Sequence, residues 1–167
     1  MADEVKLNTF TVTLMKQASL PGTGPGVPLR NATFEEAHRA FSVDLPLSLP
    51  GGFRRTGIAM GSELQPVLMA DYAMEWQERR AYLSYILVPS SVYEPAPDGK
   101  LRYMVLADSI ERKMVGGRVV AVARQAAKSP QRPGGLTMIW EKEGHLALAV
   151  ADGMTSGELE AAVLQIA

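Results

Sequence analysis

The chain has no cysteine, only two histidines and almost no net charge. The first absence removes thiol catalysis, disulfide staples and most structural zinc sites together. His38 and His145 are too few for a transition-metal centre, which usually wants three or four such ligands, and no other residues suggest a cofactor. No stretch approaches the ~18–20 consecutive apolar residues that a membrane-spanning helix needs. With 17 basic and 18 acidic residues the net charge is −1, so no bulk field favours nucleic acid or anionic lipid. The basic residues between Lys100 and Arg132 are spread without an aromatic platform, which argues against nucleic acid as a partner. The opening residues, Met-Ala-Asp-Glu-Val-Lys, lack the basic start and apolar middle of a signal peptide. That leaves a cytoplasmic protein or a soluble piece of something longer.

What is present is the balance of an ordinary globular domain. Apolar residues make up 47% and charged residues 21% of 167 residues, room for one domain with a substantial core. Organisation is clearest from Thr33 to Phe53. Thr33 and Glu36 form a capping box, and Phe34, Ala37 and Phe41 recur at helical spacing, so a short helix is predicted over 34–41. Pro46 and Pro50 stop it, and Gly51-Gly52 turns the chain into a strand from Phe53 to Met60. Thr155 and Glu158 form a second capping box. Leu159, Ala162, Val163 and Ile166 then give an amphipathic helix over 156–166 that needs a sheet to lie on.

The rest reads as strands and turns. Lys6 to Met15 alternates apolar residues with threonine, the pattern of one half-buried strand. A Pro/Gly-rich linker follows to residue 32, long enough for the first strand to exchange between copies and make a homodimer. Residues 1–32 are thus expected as strand and linker, and 33–167 as the α+β domain. Further strands are expected over Leu64–Met74, Arg80–Val88 and Arg118–Arg124, with a hairpin turn at Met74–Arg79 and another at Gly116-Gly117. Two more lie between Leu136 and Val150 about Glu143-Gly144. Residues 101–115 fit two short strands, one broken strand, or a helix. A loop covers 125–135. The whole is expected to be a twisted, mainly antiparallel sheet of roughly six to eight strands with both helices on one face.

Candidate chemistry is thin. The pairs Glu35/Glu36, Glu75/Glu78 and Glu141/Glu143 read as solvated helix-start or turn charges rather than acid–base couples. No Gly-x-Ser-x-Gly elbow is present. Gly22-Thr-Gly-Pro-Gly26 imitates a phosphate loop, but it lacks the following lysine, and Pro25 removes one of the amides. The methionines at 60, 69, 74, 104, 114 and 138 fill a core or line an adaptable apolar groove between sheet and helices, suited to a lipid-like molecule. Trp140, mid-strand, reads as core. Trp76, among charges at a hairpin tip, reads as an exposed anchor. Trp76, Met74, Met104 and Met114 are therefore the candidate interaction residues, for a protein partner or an apolar ligand.

Two separated segments carry a resemblance. One is the Glu/Ala helix and the apolar run closing on Leu49-Pro-Gly-Gly-Phe53. The other runs from Gly116-Gly117 through the strand with Trp140, a turn and an apolar strand to Met154-Thr-Ser-Gly-Glu-Leu-Glu160. In that order they resemble the small extracytoplasmic domain at the C-terminal end of membrane-anchored bacterial anti-sigma factors, found also in some sporulation and outer-surface lipoproteins. The resemblance covers residues 33–167. It implies a non-enzymatic α+β domain outside the membrane that senses or docks something, while a separate cytoplasmic segment holds the sigma factor. It supplies no catalytic residues. The chain departs from the family in having neither a transmembrane helix nor zinc-binding anti-sigma helices. It would therefore correspond to the outer domain alone.

Overall fold

The computed structural model of the chain describes residues 3–15, 28–62, 66–93, 95, 97–125 and 134–166. The Gly22–Gly26 run, most of both expected loops and the expected strand start at Leu64 lie outside the described residues. In chain order the elements are β1 (Glu4–Lys6), β2 (Phe10–Met15), β3 (Arg30–Asn31), α1 (Phe34–Phe41), β4 (Ser48–Leu49), β5 (Phe53–Met60) and β6 (Leu68–Trp76). Then come β7 (Arg79–Pro89), β8 (Leu101–Leu106), β9 (Ser109–Val115), β10 (Arg118–Arg124), β11 (Gly135–Lys142), β12 (His145–Asp152) and α2 (Ser156–Ile166).

Among the described residues the main sheet has nine strands, in the order β3-β5-β6-β7-β12-β11-β10-β9, with β4 also on β5. Its pairings are antiparallel, because two-residue turns such as Gln77-Glu78, Gly116-Gly117 and Glu143-Gly144 connect successive strands. Setting aside the two-residue β3 and β4, seven long strands remain, within the expected range. The α+β class holds. So do both helices: Thr33 Oγ1 accepts from the Glu36 amide at 3.2 Å, and Thr155 Oγ1 accepts from the Glu158 amide at 3.2 Å. Residues 101–115 are two strands. The segment expected as one strand from Lys6 to Met15 is instead the hairpin β1–β2, broken at Asn8-Thr9.

Alternation decides which side chains meet. On one face Ala70, Tyr72 and Met74 of β6, Leu83 and Tyr85 of β7, and Met138 and Trp140 of β11 are buried. They pack in a single cluster with Ala37 of α1 and Leu159, Ala162 and Val163 of α2. Each of the large apolar side chains among them, taken fully out of water, contributes ~1.5–3 kcal/mol. The opposite face of β10–β12 is also covered. A second sheet, β1-β2-β8, lies over Ala121, Ala123, Ile139, Leu146 and Leu148 with its own Val5, Phe10, Val12, Leu101 and Val105. This layer adds to the two expected from sequence. Within it β2 and β8 run parallel, from Phe10↔Leu101 to Met15↔Leu106. The N-terminal strands thus belong to the body that begins at Thr33, joined to it through β8. Because β10 and β12 are buried on both faces, their cores read Val-Ala-Val-Ala and Leu-Ala-Leu-Ala instead of alternating apolar with polar. Among the described residues no helix is long and apolar enough to cross a membrane.

Candidate functional site

The β6–β7 hairpin projects past the sheet and ends in Trp76. The ladder holds register from Leu68↔Leu87 to Trp76↔Arg79, and Gln77 turns the chain at φ +55. The base of the tip is tied down. Arg79 Nη2 donates to both carboxylate oxygens of Glu158, at 2.7 and 2.9 Å, and to the Gly153 carbonyl at 3.0 Å. The Arg79 hydrogen bond, with the Thr155 amide, holds the Glu158 carboxyl below its usual range. Glu75 pairs with Arg80 at 3.3 Å. Met74 is buried, with its Cγ 3.7 Å from where a Cβ on Gly52 would stand. On this fixed base the Trp76 side chain is 71% exposed. A large rigid aromatic held in water by an ordered hairpin is the kind of group that anchors protein interfaces.

The four candidate residues do not form one patch. Met74 lies inside and supports the tip from below. Met104 is half-exposed on β8 of the small sheet, and Met114 half-exposed on β9 at the edge of the main sheet. Of the other methionines singled out, Met60 and Met138 fill the core, and Trp140 is fully buried, its ring stacked on Tyr85 with centroids 6.0 Å apart.

No family model, no curated protein and no solved structure matches the chain.

The polar groups are spread over separate tasks. Among the described residues no three of His, Cys, Asp or Glu converge to hold a metal ion. His38 Nδ1 lies 2.8 Å from the Val43 carbonyl, and His145 Nδ1 lies 3.1 Å from that of Glu143. Glu36 caps α1 and pairs with Arg30 at 2.8 Å, which draws its carboxyl below the usual range. Glu141 departs from the expected solvated turn charge. Its Oε1 accepts from the amides of Thr9 and Phe10, at 2.6 and 2.5 Å, and so ties the β1–β2 turn to the main sheet. Alternation with the core residue Trp140 does put Glu141 on the opposite face; nothing in the sequence says that a second sheet waits there. A cleft of ≈ 680 Å³ opens beside α1, lined by Arg30, Arg39, Phe41, Met60 and Pro66 among others. Sequence reasoning missed other exposed apolar groups, Leu47, Tyr82, Leu106 and Leu164 among them, whose neighbours give no sign of their exposure.

Proposed function

We propose that the chain is a non-enzymatic interaction domain on the extracytoplasmic face of a bacterial membrane, the sensing part of an anti-sigma-type envelope-stress regulator, and that it binds another protein through the β6–β7 tip. The observation that carries the reading is Trp76, set out in solvent on a hairpin whose base is fixed by Arg79, Glu158 and Met74. A partner closing over that indole would also cover the Arg79–Glu158 pair and the first turn of α2. Binding at the tip would therefore act on a helix that is packed into the main core. Further support comes from packing. The two segments that carry the family resemblance share one core, with Ala37, Leu45 and Phe53 in the same cluster as Val120, Trp140 and Leu159.

The test uses the full-length protein in the bacterium that encodes it, with a reporter driven by the stress-dependent sigma factor. Trp76→Ala is compared with Tyr82→Ala, a half-exposed aromatic on the other face of the same hairpin. Truncating a central aromatic anchor costs ~2 kcal/mol or more of binding, roughly a thirtyfold loss of affinity. The Trp76 variant should therefore change reporter induction while the Tyr82 variant leaves it at the wild-type level. Equal behaviour of both variants and wild type would refute the assignment of the tip. A chain recovered entirely from the cytoplasm would refute the envelope reading.

A further inference from the structure

We propose that β8 is a self-pairing edge, through which two copies of this chain join their small sheets across a twofold axis at Met104. Parallel pairing with β2 fixes which backbone groups are used. Leu101 N–H donates to the Thr9 carbonyl and Ala107 N–H to that of Met15, so the odd-numbered residues of β8 face β2. The N–H and C=O of Arg102, Met104 and Leu106 point the other way. Among the described residues β8 pairs with β2 alone. The same three side chains lie on the outer face of the small sheet, with Met104 50% and Leu106 44% exposed, while Leu101 and Val105 are buried against the main sheet.

The other edges carry the protections that keep strands from pairing. β9 reads Ser-Ile-Glu-Arg-Lys-Met-Val, with three consecutive charges. β5 is flanked by the two-residue β3 and β4 and carries an irregularity between Arg55 and Gly57. β1 is three residues with a charge at each end. β8, Leu-Arg-Tyr-Met-Val-Leu, has six residues, no proline and one charge. Its pattern is also self-complementary. An antiparallel copy centred on Met104 sets Met104 against Met104 and Arg102 against Leu106. Every outward donor then faces an outward acceptor, and no like charges stand opposite one another. A peptide of arbitrary sequence could use the same backbone groups, but the symmetric placement of the three outward residues about Met104 favours a second copy.

The chain holds no cysteine, so Met104→Cys and Met114→Cys each carry a single thiol. Met114 is 51% exposed, so random collision would oxidise the two variants alike. In the symmetric pair the two Cα atoms at 104 stand ~5.5 Å apart, within disulfide reach. The 104 variant should form the covalent dimer at least ~10-fold faster than the 114 variant. Sedimentation of the unmodified chain should show a concentration-dependent dimer. Met104→Pro should abolish it, because proline there removes only an outward N–H and leaves the β2 ladder whole. Should that variant fail to fold, Met104→Lys sets two ammonium groups together at the axis and should weaken the dimer in a salt-dependent way. A wild-type chain that stays monomeric at millimolar concentration overturns the proposal. So does a dimer that these variants leave intact, or equal oxidation at 104 and 114.

Discussion

Two glycines at tight turns separate backbone strain from side-chain crowding. Gly153 has φ +78, and a Cβ there would stand 2.7 Å from the Arg80 carbonyl oxygen and 3.3 Å from the Ala81 Cα. Both atoms belong to the backbone of β7, held between β6 and β12, so neither can withdraw. Gly116 has φ +58 and a would-be contact of the same 2.7 Å, but with Leu164 Cδ2, the end of a half-exposed side chain that can swing into solvent. Gly153→Ala should therefore cost at least ~3 kcal/mol, and Gly116→Ala ~1 kcal/mol from its left-handed backbone alone. Denaturant midpoints of the two variants measure the difference. Equal losses would show that the β7 backbone yields after all. At this scale the sequence is partly legible. Asp152-Gly153 is readable as a break after an apolar strand, whereas the approach of the Arg80 carbonyl depends on a residue more than seventy positions earlier in the chain.

Elements were legible where the signal is local. Both capping boxes, the hairpin glycines and the strand-like composition of β6 and β7 are contained within a few residues, and the structure realises each of them. What sequence could not supply was pairing between distant strands. Thr9, Thr11 and Thr13 alternate with Phe10, Val12 and Leu14, which fits a strand of any sheet. Nothing local says that β2 would pair in parallel with β8, some ninety residues away. The interaction residues were legible as types only. Trp76 is exposed as its charged neighbours suggested, while Met74, two residues earlier on the same face of β6, is buried, with Gly52 packed close to it. Glu141 shows the same limit, and it yields a test. Two backbone amides of the β1–β2 turn donate to one of its oxygens, and charge-assisted bonds of this kind are the stronger ones. Glu141→Ala leaves the exposed Thr9 amide to water but the part-buried Phe10 amide without its acceptor, and should cost ~1–3 kcal/mol. Hydrogen exchange should accelerate in β1 and β2, which lose the bonds directly, by more than in α1 and β5. Unchanged exchange over residues 4–15 would mean that apolar packing alone holds the small sheet.

The two cores of the molecule share their central strand. Along β12, Leu146 and Leu148 pack under the small sheet, while Ala147 and Ala149 pack under the helices. Neither layer can leave without exposing residues one position from those that hold the other, so the three layers should unfold together. High pH tests this, because tyrosines buried on the helix side and half-buried on the small-sheet side flank the main sheet. Burial raises Tyr72, on the helix side, to about 12, and raises Tyr93, beside Phe10 of the small sheet, to about 12. It also pushes Tyr85 and Tyr103 upward. In the unfolded chain all four would ionise near ~10. A raised folded-state pKa means that the native protein keeps protons which the unfolded chain gives up. The stabilisation is thus fully present below pH ~10 and is lost as pH rises through the folded values. Stability should stay level on this account to about pH 10 and fall steeply toward about pH 12. In a Tyr82→Phe variant, which removes the half-exposed fifth tyrosine, tyrosinate absorbance and backbone circular dichroism should trace one coincident transition. A tyrosinate step that precedes the loss of sheet signal would show the small sheet detaching while β12 stays folded, and the shared strand would not then couple the two cores.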